Sequence, residues 1–67
     1  MITEEKLNRI VALMDQTIVA KVALLAELAR AATTASHPSE KLANTIIVKL
    51  LEIDIDQLRR IRNDLAS

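Results

Sequence analysis

Few side chains in this sequence have the chemistry for a functional site. Lys21 and Asp54 are the most suggestive, because each is the one charged residue between the ends of an otherwise apolar or neutral helical seam. A lysine and an aspartate brought together inside a helical bundle could form an active or ligand-binding site. The competing reading is a buried ion pair that fixes register and orientation, as polar residues in a bundle seam commonly do. The second reading is preferred. Only Asn44, Thr17 and Gln57 fall nearby, and none is a nucleophile with a base beside it.

The other candidates are weaker. Arg59, Arg60 and Arg62 form the one basic cluster. Cations near a helix C-terminus suit its dipole, and Arg59 or Arg62 can pair with neighbouring carboxylates. His37 and Glu40 have a spacing that could hold part of a metal site, but a loop or capping histidine explains His37 as well. Met1 and Met14 are too few for a copper or cofactor site, and Met14 reads as a core filler. The sequence therefore predicts no enzyme, no catalytic residues, no metal, no cofactor and no small-molecule substrate.

Composition narrows the classes further. The chain has 67 residues, no cysteine, no glycine, one proline and no aromatic residue. A chain this short buries little core, and small proteins usually compensate with disulfides, a metal or an oligomer interface. Without cysteine, association is the remaining remedy. Formal net charge is zero, so no overall field draws the chain to nucleic acid or to anionic membranes. The lack of aromatics also removes base-stacking platforms. Neither a secretory signal nor a membrane span is expected, since Glu4 and Glu5 replace a cationic leader and Lys21 interrupts the most apolar stretch. Cytoplasmic residence is the default. A leading Met1 followed directly by a good helix start reads as the natural beginning of a chain.

The elements that position these groups are two long helices. The first is expected over about 3–34, with Thr3 as N-cap, Glu4 and Glu5 in the first turn, and Ile2 and Leu7 as a hydrophobic staple. Its seam is Leu7, Val11, Met14, Ile18, Lys21, Leu25, Leu28 and Ala32. A turn follows at about 35–38, where His37 or Ser36 caps the second helix and Pro38 opens it. The second helix, to about 66, carries a matching seam: Asn44, Ile47, Leu51, Asp54, Leu58, Ile61 and Leu65. Its run Thr45-Ile46-Ile47-Val48 would suit a strand by propensity alone, but the sustained heptad favours a helix. A short link makes the pair an antiparallel hairpin, a single all-α domain spanning 1–67. With the turn centred on Ser36, Lys21 and Asp54 fall in adjacent layers, about 5 Å apart along the axis.

More apolar surface remains than one hairpin hides. Ile10, Leu13, Ala20 and Leu24 flank the first seam, and Ala43, Ile46, Leu50 and Ile53 flank the second on the same side. These eight are the expected dimer interface of a four-helix bundle. Val19, Val22, Val48 and Ile55 lie on the opposite flank, beside Asp15, Lys41 and Arg62, as the candidate partner face.

In size and architecture such a hairpin is similar to the Rop type of RNA-binding hairpin dimer, with no sequence motif in common. The expected function is a small non-enzymatic protein–protein interaction module acting as a homodimer: a regulator, inhibitor or adaptor with another protein as partner. The alternatives are an assembly module or designed bundle with no separate activity, and a nucleic-acid binder using the three arginines.

Overall fold

Two helices account for almost the whole chain. The computed structural model describes residues 2–67, with α1 at Glu4–Thr34 and α2 at Pro38–Ala66 packed against each other. Met1, and the reading placed on it, lie outside the described residues. The start of α1 follows its local chemistry. Thr3 is extended (φ −72°, ψ 156°), and its hydroxyl oxygen accepts the Lys6 N–H at 3.2 Å. Glu4 and Glu5 occupy the first turn, against the positive end of the helix dipole. Ile2 stays largely exposed, so a staple over Leu7 adds little burial.

The other end of α1 stops without glycine. The Thr33 and Thr34 hydroxyls donate to the Arg30 carbonyl at 2.8 and 3.2 Å, and Thr34 also reaches the Ala31 carbonyl at 3.3 Å. These bonds serve carbonyls of the kind that a helix end leaves without amide partners. Ala35 donates its N–H to Ala31 and then turns extended (φ −63°, ψ 130°). No left-handed residue is needed, and none occurs among the described residues. At the start of α2, His37 holds the cap position and its carbonyl accepts the Lys41 N–H at 3.0 Å. His37 is thus the cap, through its backbone alone, since its side chain makes no capping bond. Pro38, with φ already near the helical value and no N–H to leave unpaired, starts the helix instead. The β-branched run is helical throughout, and the Thr45 hydroxyl donates to the Lys41 carbonyl at 2.8 Å.

The result is a rod of 52 × 14 × 14 Å. Its radius of gyration is 15.6 Å, against about 11 Å for a compact domain of this length. Only Ile18, Ala32 and Ile55 are buried among the described residues. In α1 the remaining seam residues, Leu7, Val11, Met14, Lys21, Leu25 and Leu28, are half-buried, in the expected pattern.

In α2 the pattern departs from expectation. Asn44, Val48, Leu51, Asp54, Leu58, Arg62 and Leu65 are half-buried beside Ile55, whereas Ile47 and Ile61 are exposed. Positions 48, 55 and 62 thus enter the seam while 47 and 61 leave it and 54 stays at its edge, a rotation of α2 by roughly 50°, half of one residue's step. Solvation accounts for the choice. The expected seam would press Asp54 against helix 1, and taking a carboxylate out of water is costly. The rotated helix buries Ile55 instead and leaves Asp54 at the margin, where water and Lys21 both reach it.

Candidate interaction surface

Two ion pairs cross the hairpin, one on each side. Lys21 Nζ donates to Asp54 Oδ2, but the expectation of a buried pair is corrected, because both side chains are partly exposed at the margin of the seam. On the other side, Arg62 grips Asp15 at two points, Nε to Oδ1 at 2.8 Å and Nη2 to Oδ2 at 3.2 Å. That hydrogen bonding, aided by the guanidinium charge and opposed by partial desolvation, holds the Asp15 carboxyl below its ordinary value. The Arg62 guanidinium is raised by the same contact. Such side-on geometry matches the planar fork of arginine to a carboxylate. The sequence puts Asp15 and Arg62 on one flank without pairing them, because the expected seam leaves Arg62 outside it. The signal lay in the alternative seam 48, 55, 62, which has the same heptad spacing.

The arginine cluster is largely taken up by carboxylates. Arg62 holds Asp15, and Arg60 pairs with Asp56 at 3.1 Å. Arg59 lines a cleft on the side of Ile55. His37 sits exposed at the turn, and no group of three or more metal-binding side chains converges among the described residues. No helix among them is long and apolar enough to cross a membrane.

What remains is apolar surface, and it is unevenly distributed. On one side Leu24, Leu28, Ile47, Leu50, Leu51 and Asp54 line an open groove of about 330 Å³. Leu50 is 62% exposed, and Ile10, Leu13, Leu24, Ile46 and Ile53 are also exposed. Ala20 and Ala43, from the expected interface, are exposed too. The rotation of α2 adds two residues of the expected seam, Ile47 and Ile61. Thr17, between Leu13 and Ala20 on this stripe, donates its hydroxyl to the Leu13 carbonyl at 2.9 Å. Its donor is thereby satisfied within its own helix.

The opposite side is mixed. A second cleft, about 320 Å³, is lined by Val22, Leu25, Ile55, Glu52, Asp56 and Arg59. Two of the four residues expected on a partner face are corrected. Ile55 is only 3% exposed and Val48 is half-buried, because both belong to the rotated seam. Val19 and Val22 remain at the surface. Compared with known protein families, with curated proteins and with solved structures, the chain finds no match.

Proposed function

We propose that this chain is a non-enzymatic protein–protein interaction module that works as a homodimer, two hairpins closing their apolar faces into a four-helix bundle. The observation that carries this reading is an area. The hairpin exposes 5269 Å², whereas a folded protein of 7.4 kDa typically exposes about 4,200 Å². The surplus, on the order of 1,000 Å², is close to the roughly 800 Å² that each partner contributes to a standard stable interface. It is also concentrated, since the groove between Leu24 and Leu50 and the leucines and isoleucines around it fall on one side. Zero net charge removes long-range repulsion between copies.

Dimerisation through that side leaves the other free. There Val19, Val22 and the cleft edged by Glu52, Asp56 and Arg59 offer apolar surface within a charged rim. That suits a partner protein's amphipathic helix, and the module acts on that partner as a regulator, inhibitor or adaptor. Sedimentation equilibrium at micromolar concentration tests the reading. The wild type is expected at twice the chain mass. Leu24→Glu with Leu50→Glu, which places charges in the groove, is expected to give monomers that are largely unfolded. A folded wild-type monomer overturns it.

A further inference from the structure

We infer that the Lys21–Asp54 pair sets the register in which two copies of the hairpin join, by meeting its own image at the middle of the interface. This inference rests on the homodimer proposed above and goes beyond it to the alignment of the two copies.

Three observations carry it. The first is which side the pair faces: Asp54 lines the apolar groove, with Leu24 and Leu50 beside it. Its carboxylate, tied to Lys21, therefore stands on the side that a second copy would cover, whereas the Asp15–Arg62 pair stands on the other. The second is position along the rod. Lys21 lies 13 residues before the last residue of α1, and Asp54 lies 16 after the first residue of α2. At 1.5 Å per residue these are about 20 and 24 Å from the turn, in a rod 52 Å long. The pair thus stands within about one helical turn of the middle. The third is isolation. From Ile10 to Leu24 on α1 and from Ile47 to Gln57 on α2, the stripe facing the groove side holds aliphatic residues, Thr17 with its hydroxyl tied back, neutral Gln57 and this one ionised pair.

A twofold axis crossing the rod at its middle doubles that offset and brings each pair to within about two turns of its image. Each lysine then approaches a carboxylate of the other copy as well as its own, and two lysines and two aspartates make a neutral quartet. Sliding one hairpin by a heptad, about 10 Å, places each pair against the other copy's leucines and isoleucines. Charges desolvated without compensating partners strongly disfavour such arrangements. Aliphatic contacts alone would tolerate the slide, because leucine opposite isoleucine differs little from isoleucine opposite leucine. One polar layer fixing the alignment of an otherwise uniform seam is the best-attested use of such residues.

The test combines affinity with alignment. The chain has no cysteine, so Asn8→Cys, at an exposed position near the open end of α1, takes a single spin label. Pulsed dipolar spectroscopy then reads the label-to-label distance in the dimer. With Lys21 and Asp54 present, one narrow distance is expected. In the charge-free variant, Lys21→Met with Asp54→Leu, the dimer is expected to persist with a broadened or multiple distance distribution. Asp54→Leu alone should weaken the dimer at least tenfold by stranding Lys21, and adding Lys21→Met should restore it. A charge-free dimer with the same single narrow distance as the wild type overturns the inference and leaves the homodimer standing. A monomeric wild type overturns both. If Asp54→Leu alone does not fold, the distance distribution of the charge-free variant decides.

Discussion

Replacing Ile55 with alanine probes the seam that the hairpin uses. Ile55 is the most buried of the three core residues, 3% exposed, so truncation removes three carbons from a nearly dry site. At about 0.8 kcal/mol per buried carbon, the transfer loss alone is about 2.4 kcal/mol. A cavity contribution raises the expected cost to about 3 kcal/mol, within the range measured for such truncations. The control is Val19→Ala, at a position 69% exposed, where about 0.5 kcal/mol or less is expected. Urea unfolding followed by far-UV circular dichroism is the assay, since the chain has no aromatic fluorophore. Protein concentration must be equal throughout, because association shifts apparent stability. With a urea slope near 1 kcal/mol/M, Ile55→Ala should lower the midpoint by about 3 M. If α2 instead used positions 47, 54 and 61, Ile55 would lie on a flank and its truncation would be mild. A shift no larger than that of Val19→Ala therefore refutes the rotated seam.

Two further outcomes are expected. The Asp15 carboxyl titrates below its ordinary value because Arg62 holds it, so its stabilisation is complete above about pH 3.9 and disappears as pH falls through the lowered folded value. Asp15→Asn should therefore lower the melting temperature at neutral pH by an amount that shrinks as the solution is acidified below that point, and a gap constant with pH would contradict the assignment. Arg59, Arg60 and Arg62 should not support tight binding of RNA or DNA at physiological salt. A salt-dependent complex lost on removing them would show otherwise.

The sequence made α1 legible almost residue by residue, because a single seam fits it. Its one charge, Lys21, sits on a flexible stem that can keep its ammonium near water while its methylenes pack. The turn was legible from Pro38, whose ring constrains the backbone on both sides. In α2 the seams through 47, 54, 61 and through 48, 55, 62 keep the same heptad spacing, and each contains one charged residue, Asp54 or Arg62. Periodicity alone cannot separate them. The difference is whether the short aspartate or the long arginine must lie against α1, and that depends on where α1 stands. Arginine can pack its stem and still reach Asp15, 47 residues away in the chain. Aspartate has no stem to do so. The groove side was visible as an excess of leucine and isoleucine, but Ile47 and Ile61 joined it only through the rotation.

The glycine-free corner has a consequence for topology. Between Thr34 and Pro38 the chain turns through Ala35, Ser36 and His37, and no described residue there adopts a left-handed conformation. Alanine, serine, threonine and histidine all accept helical geometry at a cost well under about 1 kcal/mol each, whereas proline inside a helix costs about 3 kcal/mol and also disfavours helical geometry in the residue before it. The strongest local barrier between this folded-back hairpin and one unbroken helix is therefore the Pro38 ring. From Glu4 to Ala66 such a helix would run about 95 Å. It would expose on a single strand the seam that the two arms now hide from water, and could recover that burial only by pairing with another extended chain. A single pyrrolidine thus helps decide whether the seam is satisfied within one molecule or by exchanging arms between two.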